Sequence, residues 1–157
     1  MNLYLLPVFW AIIHLFLAFL SFVKIKNSND TVKFIYKWGF LFGAFVWEDL
    51  FIFSLLNVGV SILVLIFGNL LPGLLLIVIF WIVRNGGETV YFMLQQFIEP
   101  KHHPHEIDMH FEILRKFFGK ISTQKCFIIM QVIHQTFFVV FTFILIMLVK
   151  YWPDLTF

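Results

Sequence analysis

Charge is what this 157-residue sequence has least of: only 13% of its residues are Asp, Glu, Lys or Arg, against roughly 25% in ordinary soluble domains. With 61% hydrophobic residues, a water-soluble domain would have no surface to offer solvent. Cysteine is nearly absent as well. The single Cys126 excludes an internal disulfide and a multi-cysteine metal knot, and at helical spacing in an apolar run it reads as a packing residue. Alternation of apolar and polar residues is also missing from stretches such as Ser61 to Phe67 and Leu74 to Val83, which excludes a transmembrane barrel. An open sheet is excluded too, because lipid offers no partners for the hydrogen bonds of its edges.

What remains is long apolar runs. Four of them, over about residues 3–23, 38–67, 71–98 and 123–149, each meet the ~20 residues needed to cross the hydrocarbon core. The fold class is therefore all-α: a polytopic membrane protein, read as a four-helix transmembrane bundle occupying residues 1–157 as a single domain. The first run has no basic n-region, has no convincing small-residue cleavage site and exceeds a usual signal-peptide core, so it reads as a retained helix.

Orientation follows from Lys and Arg, which favour the cytoplasmic side. Lys24, Lys26, Lys33 and Lys37 flank the first loop; Lys101, Arg115, Lys116, Lys120 and Lys125 lie between the third and fourth runs; only Lys150 falls on the other side. The expectation is a multi-pass protein of the cell membrane with both termini and the Gly68–Gly73 turn non-cytoplasmic. The net charge of +2 reflects this anchoring and points to no nucleic-acid partner. Asn27 to Thr31 reads as a polar turn.

The loop between the third and fourth runs is richer. Ile107, Phe111, Leu114 and Phe118 recur at helical spacing among Asp108, Glu112, Arg115 and Lys116, which predicts an amphipathic helix over about residues 105–120 lying in the membrane interface. Pro104 suits its start, and acidic residues early with basic ones late match the helix dipole. Just upstream, His102, His103 and His105, with His110 a turn or so on, form either a surface metal site or a solvated loop titrating at about pH 6.5.

The most informative residues are those that lipid should exclude: His14, Glu48, Asp49, Arg84, Asn85, Glu88, Gln131, His134 and Gln135. Intramembrane polar groups are costly and so point to function. His14 lies ten residues before Lys24, Glu48 eleven after Lys37, Glu88 eleven before Glu99 and His134 nine after Lys125. At 1.5 Å per residue all four sit about 14 to 17 Å from the cytoplasmic edge, near the middle of a ~30 Å core. The sequence thus predicts one shared midplane site of His14, Glu48, Glu88 and His134, supported by Asp49, Arg84, Asn85, Gln131 and Gln135.

Spacing adds detail. Arg84 shares a helix face with Glu88, Gln131 with His134, and Trp10 with His14. Glu48 and Asp49 point about 100° apart, so one of them faces the centre. Asn85-Gly86-Gly87 is a place where the third helix can loosen. Three carboxylates against one arginine leave a charge deficit, met either by protonation, which makes a general acid, or by a divalent cation, which makes a two-His, two-carboxylate site for iron, zinc or copper. A purely structural alternative pairs Arg84 with Glu88 and uses the histidines for interhelical hydrogen bonds.

Trp47-Glu48-Asp49-Leu50-Phe51-Ile52-Phe53 resembles the acidic-pair-plus-aromatic motif of the small membrane lycopene cyclases, without that motif's proline. Gly87-Glu88-Thr89-Val90-Tyr91-Phe92 is a looser echo. The resemblance covers about fifteen residues. It implies a membrane enzyme that protonates an isoprenoid double bond and cyclises or isomerises it without redox chemistry, with Glu48 as proton donor and Asp49 as its partner.

The leading expectation is a membrane enzyme working by acid-base chemistry on an apolar lipid or isoprenoid that enters from the bilayer, with Glu48, Asp49, Glu88 and Arg84 as its catalytic groups. Two alternatives use the same residues: a metal-dependent membrane oxidoreductase or metalloprotein subunit, and a proton-coupled transporter or channel subunit. The last requires a homo-oligomer or a partner in a membrane complex, since four helices without a strong repeat are few for a transporter.

Overall fold

The computed structural model describes residues 5–27, 47–99 and 107–151, apart from the side chains of residues 107–110 and 113. Five helices account for the regular structure of the described residues: α1 (Leu5–Lys26), α2 (Trp47–Phe67), α3 (Leu71–Gln95), α4 (Ile107–Phe118) and α5 (Thr123–Lys150). The protein is all-α, and α1, α2, α3 and α5 are each long and apolar enough to cross a membrane. Even α2, with 21 residues, spans about 31 Å at 1.5 Å per residue.

The helix ends follow local chemistry. Lys24 and Lys26 occupy the last turn of α1, where cations complement the helix dipole. Gly68 takes φ of 61° after α2, a left-handed conformation that other residues adopt at a cost. Asn69 Oδ1 then accepts the Leu71 N–H at 2.9 Å, and Pro72 falls in the first turn of α3, where a missing N–H costs no helical bond. Gly73 lets α2 and α3 approach, since a Cβ there would lie 2.9 Å from Val64 Cγ2.

The third apolar run was expected to be helical to residue 98, but α3 stops at Gln95. Gln96, Phe97 and Ile98 instead donate three residues back, to Met93, Leu94 and Gln95, so the helix tightens at its end to satisfy orphan carbonyls. Residues 38–46 of the second run lie outside the described residues. Gly119, with φ of 75°, follows α4, and Ser122 caps α5 by accepting the Lys125 N–H at 3.3 Å.

By contact density the chain divides into two compact units, Met1–Ile77 and Val78–Phe157. In the first, α1 and α2 run antiparallel: Trp10 near the start of α1 bonds to Asn57, while Phe22 near its end meets Phe51, with ring centroids 6.2 Å apart. Small side chains, namely Ala18, Ser21, Ser54 and Ser61, are buried there, which suits close helix approach in lipid. Ser21 and Ser61 turn their hydroxyls back onto Leu17 O and Asn57 O of their own helices, so these polar groups need no outside partner.

In the second unit, α3 and α5 run antiparallel, and α4 covers one end. The core is Phe92, Phe111, Cys126 and Phe127, flanked by Leu114, Ile121 and Met130. Phe111 and Phe127 meet edge to face with centroids 5.0 Å apart, a favoured aromatic geometry. Cys126 is fully buried, in keeping with a packing residue. The α4 stripe expected to face lipid is thus divided: Phe111 and Leu114 pack on protein, whereas Phe118 is exposed. An apolar stripe is equally satisfied by acyl chains or by a core, and here the core takes its middle.

Candidate functional site

The polar centre of the second unit is built on one face of α3. Trp81, Asn85, Glu88, Phe92 and Gln96 recur three or four residues apart, so they stack along that face. Asn85 is only 2% exposed, and its side-chain amide is fixed at both ends. Its Nδ2 donates to Trp81 O one turn back at 2.7 Å, which leaves Oδ1 toward α5, 2.9 Å from His134 Nδ1. An amide oxygen only accepts. Nδ1 of His134 therefore carries a proton, and in the neutral ring the lone pair falls to Nε2.

Packing holds that ring further. Phe92 stacks on His134 with centroids 5.4 Å apart and planes 19° from parallel. One turn toward the α4 end, Gln96 Nε2 donates to Gln131 Oε1 at 2.6 Å. Toward the other end, Trp81 stacks on Phe141 at 6.0 Å, and Gly86 lets the Phe138 ring lie where a Cβ would be 3.3 Å from it. Two amide clasps and two ring stacks thus set the register of α3 against α5.

Arg84 and Glu88 pair within α3 at 2.9 Å, both largely shielded. Such an i,i+4 pair keeps two charges tolerable in a membrane-length helix. Glu88 lies three residues from Asn85, so the carboxylate shares the face that presents Asn85 to His134.

In the first unit, Trp10 Nε1 donates to Asn57 Oδ1 at 3.1 Å, and Asn57 Nδ2 donates to Phe53 O at 2.8 Å, the same double anchoring seen at Asn85. His14 lies against Trp10 with ring centroids 4.7 Å apart, as their spacing implied. His14 Nδ1 and Ser54 Oγ are buried and without a hydrogen bond. Of the acidic pair, Asp49 is buried and Glu48 exposed, so the inward-facing carboxylate is the one that the cyclase resemblance assigns as partner rather than donor.

The four residues expected to share one layer are distributed two and two: His14 and Glu48 in the first unit, Glu88 and His134 in the second. Among the described residues no group of three or more His, Cys, Asp or Glu side chains is placed to hold a metal ion, so iron, zinc or copper at that quartet has no support. His102, His103 and His105 lie outside the described residues, as does the His110 side chain. Gln135, expected in support, is exposed.

Comparison with protein-family models, with curated proteins and with solved structures returned no match. The chemistry must be read from the site itself.

Asn57 in the first unit and Gln96 and Trp81 in the second are interhelical partners that sequence reasoning missed. Asn57 sits inside an apolar run just as Asn85 does, and that intrusion was its signal. Gln96 was hidden by its place near the expected helix end.

Proposed function

We propose that this chain is an integral membrane enzyme that moves protons on an apolar lipid or isoprenoid substrate, with His134 as the base and Glu88, held by Arg84, as the neighbouring carboxylate. The observation that carries this reading is the Asn85–His134 hydrogen bond. It assigns the proton of the neutral imidazole to Nδ1 and the basic lone pair to Nε2, the arrangement a general base needs. Asn85 continues to accept from Nδ1 when Nε2 takes up a proton. Returning that proton to a different carbon of the substrate isomerises it, and no oxidant or reductant is required. Phe92, stacked on the ring, keeps it from rotating, and membrane-length helices on either side suit a substrate that arrives through the bilayer.

The test is mass spectrometry of lipid extracts from cells expressing the wild-type chain, His134→Ala, Glu88→Gln or Gln135→Ala at matched levels. One lipid pool should shift with wild type and with Gln135→Ala, and the shift should vanish with the other two. Identical profiles for wild type and His134→Ala would overturn the proposal.

A further inference from the structure

We propose that the corner where α4 turns into α5 is a binding surface for anionic phospholipids. Two features converge there. Phe117 and Phe118 end α4 with 82% and 60% of their surfaces exposed, and Phe97, just past α3, is 82% exposed. The antiparallel run of α3 and α5, fixed by the Gln96–Gln131 and Asn85–His134 pairs, puts Phe97 at the same end as the start of α5. Three aromatic rings of that exposure are costly in water and at home among acyl chains, where the apolar faces of interfacial helices carry Phe and Leu.

The second feature is charge. Arg115, Lys116, Lys120 and Lys125 lie within eight residues of Phe117 and Phe118 along the chain, with Lys116, Lys120 and Lys125 exposed. The exposed carboxylates of the described side chains at this end are Glu99 and Glu112, and Glu112 reaches Lys116 at 3.4 Å. Among the described side chains at this end, four cations stand against two carboxylates. Arg115 donates to Thr123 Oγ1 at 3.1 Å, tying α4 to the first turn of α5, and Gly119, with φ of 75° and its carbonyl accepting the Ile121 N–H at 2.9 Å, makes the turn between them. Phe111 is already buried against Phe127, so α4 is moored to the protein by its middle and offers its last turn to the bilayer. Rings for the acyl region beside ammonium groups for phosphates fit an anionic phospholipid, and basic segments beside a membrane bind such lipids electrostatically.

The experiment is native mass spectrometry of the full chain in detergent with equimolar dioleoyl phosphatidylglycerol and dioleoyl phosphatidylcholine. Wild type should retain severalfold more phosphatidylglycerol. Lys116→Gln/Lys120→Gln/Lys125→Gln should bring the two lipids to parity; these side chains are exposed, and an unchanged melting temperature verifies folding. Raising ionic strength should weaken the preference in wild type. Equal retention by wild type, or a preference that persists in the triple variant, overturns the proposal.

Discussion

Removal of the Asn85 side chain is the perturbation with the best-defined consequence. Asn85→Ala deletes the acceptor of His134 Nδ1 in a place where Asn85 is 2% exposed, so water does not readily replace it. Interhelical hydrogen bonds in membrane proteins contribute about 0.6 kcal/mol on average and up to about 1.7. Leaving a buried donor unsatisfied costs about 1–3 kcal/mol in soluble proteins. The 2.9 Å contact, with the amide locked by Trp81 O, belongs toward the upper end of the membrane range. Asn85→Ala should therefore cost about 1–2 kcal/mol. His134→Ala should cost at least as much, because the Phe92 stack goes with it. In a double-mutant cycle, measured by reversible unfolding in mixed micelles, the coupling should be about 1 kcal/mol. Additivity within about 0.3 kcal/mol, the range found for independent sites, would refute the pairing and the tautomer assignment that depends on it.

The adjacent glycines of α3 should separate cleanly. Gly86→Leu, driven into Phe138, should lower stability by about 1–3 kcal/mol, whereas Gly87→Ala, with open space around it, should raise it by about 0.5–1 kcal/mol through helix propensity; thermal melts in one detergent compare them. Gly119→Ala forces a side chain into φ of 75° and should cost about 1–2 kcal/mol, with Gly119→Asn costing less. Trp10→Phe removes the bond to Asn57 while keeping most of the ring, and should cost about 0.6 kcal/mol in the same melts.

The four membrane-length helices were legible in the sequence because hydrocarbon admits little else than a long apolar helix. Polar positions inside them were legible for the same reason: Asn85, Glu88 and His134 stand out against Ile, Leu and Phe. Pairings were not. Depth along a helix comes from counting residues, but the partner a side chain meets depends on rotation about the axis, which depth does not fix. Hence Glu48 and Asp49 are neighbours while only Asp49 is buried, and depth gave no sign that His134 meets the Asn85 amide. That Arg84 and Glu88 share a face was legible, with their pairing as one alternative, since spacing within a helix does fix the face. The amphipathic α4 was legible as a helix and only partly as a contact, because its stripe suits protein and lipid alike.

The central claim is that Asn85 holds His134 with its proton on Nδ1 and its lone pair on Nε2. Nitrogen NMR of the His134 imidazole, isotopically labelled in the full chain reconstituted in bilayers at neutral pH, reads those two nitrogens separately. The Asn85–His134 geometry predicts a protonated Nδ1 and an unprotonated Nε2 in wild type, with that preference lost in Asn85→Leu. A wild-type ring protonated at Nε2 with Nδ1 bare, or a tautomer indifferent to Asn85→Leu, would contradict it.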